Sequence, residues 1–157
     1  MKKFSWSAAY ILGIILVNWM FLQIPMIHIP HIGMLSVGTL VIGVIFILRD
    51  VVQRLLGHKV VLLMVAGIGI TYVMSPHLAL ASGAAFAVGE GVEWLFFTFT
   101  HRTFKQRVLR SVIPGVTLDT AVFLLIAGFF SWPNFVVESG MKMLALVWVR
   151  FLPDPIA

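Results

Sequence analysis

Six long apolar runs, separated by short connectors that contain polar residues or proline, make up most of the chain. Most of these runs approach the roughly 20 apolar residues that a helix needs to cross a bilayer. They do not alternate apolar and polar residues, as the strands of a membrane barrel do. The pattern therefore predicts an all-α integral membrane protein with a single transmembrane domain over residues 1–157. The six predicted spans are residues 7–24, 33–48, 60–74, 78–100, 111–130 and 135–152.

The composition favours a lipid environment. Hydrophobic residues make up 61% of the 157 residues, charged residues make up 11%, and the mean hydropathy is +1.05. A soluble domain is about half apolar and about a quarter charged, so it could not hide this excess. The connectors are too short to hold a nucleotide-binding domain. The chain has no cysteine, which excludes disulfides, thiol chemistry and cysteine-bound metals.

The positive charge of the chain lies in the gaps between the apolar runs. The net charge is +5, but the cations do not form one solvated face, so no nucleic-acid partner is predicted. The basic residues of the N-terminus and of two connectors are Lys2, Lys3, Arg49, Arg54, Lys59, Arg102, Lys105, Arg107 and Arg110. By the positive-inside rule, both chain ends and both basic connectors are cytoplasmic, in a multi-pass protein of the inner membrane.

Charged residues inside the predicted spans are the strongest sign of a functional site. Glu90, Glu93, Asp119 and Lys142 all lie within apolar runs. A charge at the centre of a bilayer costs at least about 2.5–3.5 kcal/mol, so such residues usually face a cavity or a partner. Glu90 and Glu93 share one helical face because they are three residues apart. Counted from the two span ends, Glu90 and Asp119 reach a similar depth, which predicts that the acids meet in one layer.

A stripe of small and polar residues supports the same layer, since Ser111, Gly115 and Asp119 recur every fourth residue. One interpretation is structural: the acids pair with Lys142, with Arg110 or with each other, and simply hold helices together. Three acids and one internal lysine do not cancel, however, so a cavity with a polar ligand or a coupled ion explains the set better. Asn18 in the first span either lines this cavity or bonds to another helix.

The other candidate chemistry is weak. His28 and His31 are two imidazoles without a third ligand, so no metal site is predicted, and no cofactor is implied. No serine or histidine is paired with the internal acids at a recognisable spacing, so no catalytic residue is assigned and the chain is not predicted to be an enzyme.

Three segments in order along the chain resemble the VUT family of bacterial membrane proteins, which includes the queuosine-precursor transporters. The segments are FILRDVVQRLLGHK, ASGAAFAVGEGVEWLFF and RSVIPGVTLDTAVFLLIAGF. The matching positions are Asp50, Arg54, Gly57, Glu90, Glu93, Ser111, Gly115, Asp119, Thr120 and Phe123, and Lys142 is similar to a lysine common in the last helix of the family. The chain departs from the family at Val112, where asparagine is common, and at the neighbouring Pro114.

The resemblance implies import of a 7-deazaguanine base such as preQ0 or preQ1. One carboxylate can accept both the N–H and the NH₂ of a guanine-like edge. On this basis Glu93 or Asp119 is expected to bind the edge. Supporting contacts are assigned to Glu90 and to Ser111 or Thr120, and a structural or gating role to Asp50, Arg54 and Lys142.

The sequence leaves several alternatives open. The six-helix architecture implied by the resemblance is similar to the substrate-binding S-components of energy-coupling-factor transporters, so the chain could capture another vitamin-like molecule for an ATP-driven complex. A small membrane-embedded enzyme and a purely structural membrane protein are weaker alternatives. The coupling proton or cation, and assembly into a homo-oligomer, stay open.

Overall fold

The computed structural model describes residues 2–31, 33–74, 79–100 and 103–151. It is 87% helical, which confirms the prediction of an all-α fold. The α-helices of this part of the chain are α1 (Lys2–Gln23), α2 (Gly38–Leu56), α3 (Val60–Met74), α4 (Ala79–Phe99), α5 (Phe104–Ala127) and α6 (Trp132–Met143). Short 3₁₀ segments follow α2 at Gly57–Lys59 and α6 at Leu144–Phe151. The predicted span limits at residues 78 and 152, and the predicted loop cation Arg102, lie outside the described residues.

A β-hairpin connects α1 and α2. Strands β1 (Ile27–Ile29) and β2 (Gly33–Leu35) pair antiparallel, with Ile27 opposite Leu35. Two prolines in the connector, at positions 25 and 30, prevent a continuous helix. Gly33 has φ +130° at the start of β2. The second span was predicted to begin at residue 33, but this hairpin delays the helix until Gly38.

The helices run between two ends of the bundle. The hairpin end contains residues 24–31, 33–37 and 128–131. A side chain added at Gly33 would lie 3.2 Å from Asn134, so the hairpin rests on the start of α6. The basic end contains residues 54–59 and 103–107, where the His58 ring packs edge-on against Trp94 with centroids 5.6 Å apart.

Two helices extend further towards the basic end than the apolar pattern predicts. The second span was expected to stop before Arg49 and Asp50, but α2 continues to Leu56, and the next residue, Gly57, has φ +62°. The fifth span was expected to begin at residue 111, but α5 begins at Phe104. Most of the basic connector before the fifth span is therefore the first turns of a helix rather than a loop.

The helices expose apolar side chains and bury charged ones. Leu80, Leu62 and Trp132 are each more than 70% exposed, whereas Arg49 and Glu90 are completely buried. This is the reverse of a water-soluble protein, in which charged side chains are almost never fully buried unless paired. It fits a surface that lies in lipid.

By length and composition, three of the described helices could cross a membrane. They are Lys3–Gln23, Leu80–Phe99 and Phe104–Ala127. Of the remaining helices, α3 and α6 have 15 and 12 residues, short of the roughly 20 that a span needs. Charged residues occupy the second half of α2.

Helix α2 lies between two apolar clusters and so organises the bundle. On one side, Phe46 and Val51 pack with residues of α4, α5 and the final 3₁₀ segment. On the other side, Ile45 and Val52 pack with residues of α1 and α3. Because α2 contacts every part of the bundle, charges on its inner face are surrounded by protein.

Candidate functional site

Arg49 of α2 is the centre of a buried charge cluster. Its Nη2 lies 2.6 Å from Glu93 Oε2, its Nη1 2.8 Å from Asp50 Oδ1, and its Nε 3.3 Å from Glu90 Oε2. Nη1 also donates to Gln53 Oε1 at 2.6 Å. Arg49 and the three acids are completely buried. A planar guanidinium with five N–H donors suits this role, because it can serve several acceptors at once.

The position of Arg49 corrects the sequence interpretation, which counted it as a cytoplasmic loop cation. The adjacent Arg49 and Asp50 were read as the end of a span because two charges usually mark one. In the structure they neutralise each other within the helix and remain buried. The excess of internal acids over internal cations was the signal that an additional buried cation was needed.

Neighbouring helices fix the outer members of this cluster. From α5, Ser111 Oγ donates to Asp50 Oδ2 at 2.7 Å. From α1, Tyr10 Oη donates to Glu90 Oε2 at 3.0 Å. Tyr10 was not singled out in the sequence, because an aromatic residue in an apolar run carries no sign of a buried polar partner. The cluster therefore ties α1, α2, α4 and α5 together.

A second buried pair joins α5 and α6. Lys142 Nζ donates to Asp119 Oδ2 at 2.5 Å and to Thr120 Oγ1 at 3.0 Å. All three residues are buried. The structural interpretation of Lys142 as a partner for an internal acid agrees with this contact.

Glycines let the polar side chains fit between closely packed helices. A side chain at Gly115 would collide with the side chain of Glu93, and one at Gly89 would lie 2.7 Å from Asp119 Cβ. A side chain at Gly43 would collide with the backbone carbonyl of Lys142. Small residues at such positions allow membrane helices to approach closely. Gly115, the middle residue of the Ser111, Gly115, Asp119 stripe, thus leaves the space that the Glu93 side chain occupies.

A cavity extends from the hairpin end to the level of Glu90. About 800 Å³ of space that the protein does not fill lies within it and in the open solvent in front of it, and the half-exposed Phe129 forms part of its wall. Its polar lining residues are Asn18, Ser36, Thr71, Ser82, Glu90, Asp119, Glu138 and Lys142. Its aromatic lining residues are Phe21, Phe46, Phe86, Phe123 and Phe129. Aromatic walls with a few convergent polar groups are typical of sites for small molecules.

The predicted substrate-binding residues divide into two groups. Asn18, Glu90 and Asp119 line the cavity. Glu93, Ser111 and Thr120 are buried behind the cavity wall, where Glu93 and Ser111 belong to the Arg49 cluster and Thr120 bonds Lys142.

The proposed partners Asp50 and Arg54 lie in different surroundings. Asp50 contacts Arg49 and Ser111 within the cluster. Arg54, one turn further along α2, lines a separate pocket at the basic end.

Asn18 fulfils both of the roles that the sequence left open, which are to line the cavity and to bond to another helix. It lines the cavity, and its amide donates to Thr71 Oγ1 of α3 at 3.1 Å. It therefore joins two helices at the cavity wall.

Glu138 is a cavity acid that the sequence interpretation missed. It lies in α6, is 4% exposed and lines the cavity beside Lys142, which follows one turn later. Its position only three residues inside the predicted sixth span made it resemble a residue at the membrane surface. The four-residue spacing to Lys142 was the available signal, because such residues share a helical face.

The buried charges do not balance. Among the described side chains, five acids are buried: Asp50, Glu90, Glu93, Asp119 and Glu138. The two buried cations are Arg49 and Lys142. Glu90 Oε1 is also buried without a hydrogen-bond partner in the described part of the protein. Since unmatched buried charge is costly, the cavity favours a ligand that brings hydrogen-bond donors or positive charge.

Within the described residues, no group of three histidine, cysteine or acidic side chains is arranged to hold a metal ion. Compared with known proteins, the chain matches no family model, no curated protein and no solved structure.

Proposed function

We propose that this chain is a six-span importer of the inner membrane that carries a small heteroaromatic base of the 7-deazaguanine type, with both chain ends in the cytoplasm. The observation that carries the proposal is a cavity with acidic and aromatic walls that reaches from the hairpin end to a buried ion cluster. The resemblance to queuosine-precursor transporters supplies the ligand class. The apolar outer surface supports a position in the bilayer.

The cavity walls suit a flat base with an amino-substituted edge. Phenylalanine rings can stack on both faces of a planar ring. Glu90 and Asp119 present carboxylates to the cavity, and a carboxylate can accept two parallel N–H bonds from a guanine-like edge. Glu93, for which the sequence also suggests this role, does not line the cavity and is paired with Arg49 at 2.6 Å behind its wall. We therefore assign the edge to Glu90 or Asp119.

The Arg49 cluster acts as the barrier on the cytoplasmic side. The hairpin end faces outward in this proposal, so substrate enters there and reaches Glu90. Passage to the cytoplasm then requires the α4 acids to separate from Arg49. A substrate that donates hydrogen bonds to Glu90 replaces part of the electrostatic stabilisation that Arg49 gives this carboxylate. It therefore lowers the free-energy cost of separating the α4 acids from Arg49. The surplus of acids in the wall also gives a coupling proton a place to bind.

Uptake by the purified chain in liposomes tests the proposal. We expect saturable uptake of preQ0 or preQ1 over guanine and queuine, and loss of uptake in Asp119→Asn at normal protein levels. Thr117→Val is the matched control on α5, because the Thr117 hydroxyl donates only to its own helix at Ile113 O.

Three results separate the alternatives. Full uptake by Asp119→Asn would refute a role for Asp119, and full uptake by both Asp119→Asn and Glu90→Gln would refute the site. Binding without uptake, rescued by a co-purifying ATPase, would identify a substrate-binding subunit instead. Absence of both binding and uptake for all four bases would refute the ligand class.

A further inference from the structure

Glu138 of α6 is a buried acid to which the function proposed above gives no role. It lies in the cavity wall and is 4% exposed. Within the described part of the chain, its carboxylate makes no ion pair and accepts no hydrogen bond. An unpaired buried charge is costly, so buried carboxylates usually have such partners. The Glu138 carboxylate is therefore open to a partner that enters the cavity.

The neighbouring charges leave Glu138 unmatched. The charged side chains that act on it through space are Lys142 and Asp119. These two pair with each other, since Lys142 Nζ donates to Asp119 Oδ2 at 2.5 Å. Two opposite charges in contact largely cancel at the position of a third. One lysine therefore does not neutralise both acids, and a positive charge beside Glu138 would complete the balance of this part of the wall.

Glu138 and Glu90 offer acceptor oxygens at two different levels of the cavity. Glu90 lies at the inner limit, and its Oε1 is buried without a hydrogen-bond partner in the described residues. Glu138 precedes Lys142 by four residues, so it lies about 6 Å nearer the hairpin end along α6. A ligand with donor groups at its two ends would suit this arrangement better than a ligand with a single polar edge.

A protonated amine is the cation that suits Glu138. No three histidine, cysteine or acidic side chains of the described chain are grouped so that they could hold a metal ion. An ammonium group, in contrast, can be bound by one carboxylate through a charge-assisted hydrogen bond. The phenylalanine rings of the lining can also attract a cation to their faces. An organic amine is therefore favoured over a bare cation.

We propose that Glu138 binds a protonated amine of the ligand and makes the cavity selective for a base that carries a cationic arm. This inference rests on the proposed function. The amino-substituted edge of the base lies at Glu90 or Asp119, and the amine lies at the opposite end of the same molecule, beside Glu138. The arm supplies the positive charge that the cavity wall lacks.

The affinities of the purified full-length chain for two bases of nearly equal size test this inference. One is preQ1, which has a protonated aminomethyl arm, and the other is its analogue with an uncharged hydroxymethyl arm. We expect preQ1 to bind about ten- to hundredfold more tightly, the factor typical of one charge-assisted hydrogen bond. Glu138→Gln should remove most of this preference, because its amide carries no charge. Equilibrium dialysis measures all four affinities.

Ser139→Ala is the matched control on α6, and it should keep the preference for preQ1. Ser139 is buried but does not line the cavity, and its Oγ has no hydrogen-bond partner among the described residues. A preference that survives in folded Glu138→Gln would overturn the assignment to Glu138.

The wild-type comparison tests the inference even if Glu138→Gln folds poorly. Equal affinities of the wild type for preQ1 and its hydroxymethyl analogue would overturn the amine site and leave the proposed function intact. Failure of the wild type to bind either base, or preQ0, would refute the proposed function and the amine site with it.

Discussion

Arg49 and Glu90 meet at the inner limit of the cavity, where Arg49 Nε lies 3.3 Å from Glu90 Oε2. Among the described residues, Glu90 is the acid that both lines the cavity and contacts Arg49. Glu93 contacts Arg49 from behind the wall, and Asp119 lines the cavity next to Lys142. A ligand that reaches Glu90 therefore reaches the cluster that closes the bundle.

The first prediction separates the two α4 acids. Glu90→Gln should weaken binding of the proposed 7-deazaguanine ligand about ten- to hundredfold, because a charge-assisted hydrogen bond to that ligand is lost. Glu93→Gln is the matched control, since it removes the same charge from the same cluster without changing the cavity lining. Ligand-induced shifts in thermal unfolding measure both affinities. Equal losses in the two variants would contradict the assignment of Glu90 to substrate.

The second prediction concerns the stability of the cluster. Arg49→Leu leaves Asp50, Glu90 and Glu93 without their shared cation, and breaking a buried ion pair in this way costs about 3–5 kcal/mol. We expect a much lower unfolding temperature in detergent. Lys59→Gln, which removes one cation from an exposed residue just after the same helix, should unfold close to the wild-type temperature. A small change in the unfolding temperature of Arg49→Leu would mean that the fold tolerates the three buried acids without this cation.

The third prediction uses the close packing of α4 and α5. Gly115→Ala places a methyl group where the Glu93 side chain lies, and overpacking of this kind costs about 1–3 kcal/mol. Gly91→Ala is the control, because its added methyl group meets nothing within 4 Å. It should be neutral or up to about 1 kcal/mol stabilising, as alanine favours a helix. Denaturation in mild detergent measures the free energy of unfolding of both variants, and equal changes in it would refute the packing argument.

The fourth prediction tests the pair between α5 and α6. Asp119→Leu and Lys142→Met each leave one charge buried, so each should destabilise the fold. The double variant removes both charges and should unfold at a higher temperature than the sum of the single effects predicts. Contacting residues usually show coupling of about 0.5–3 kcal/mol in such a cycle. Additive effects would show that the 2.5 Å contact contributes no pairwise stability.

The fifth prediction concerns orientation, and the absence of cysteine makes it simple to test. His28→Cys in the hairpin and Lys59→Cys at the basic end introduce single thiols at exposed positions. A membrane-impermeant maleimide should label His28→Cys in intact cells, and Lys59→Cys only after the membrane is opened. Labelling of both in intact cells would contradict the proposed orientation.

The fold class followed from the sequence because long apolar runs leave few alternatives in lipid. The helix ends did not follow, since they depend on tertiary pairing. Arg49 and Asp50 look like a helix end only as long as their partners on α4 and α5 are unknown. The hairpin was hidden for a related reason, because β2 reads as the start of the apolar span that follows and β1 lies in the predicted connector.

The internal acids of the candidate site could be predicted from the sequence, but the direction in which each side chain points could not. Glu90 and Glu93 share a helical face, yet three residues of helix turn through about 300°, so the two side chains point about 60° apart. Because of this difference, Glu90 lines the cavity, whereas Glu93 points to Arg49 behind the cavity wall. Glu138 was missed because its distance from the membrane surface could not be judged without the start of α6.

The stripe on α5 has a consequence for how the bundle can move. Ser111 holds Asp50 of α2, Gly115 receives Glu93 of α4, and Asp119 holds Lys142 of α6. A rotation of α5 about its own axis would disrupt all three contacts together, so twisting this helix alone is the least favourable motion. In the proposed transport cycle α4 and α5 would therefore move together, and opening the basic end would break the contact of Ser111 with Asp50 as well as the ion pairs between Arg49 and the α4 acids.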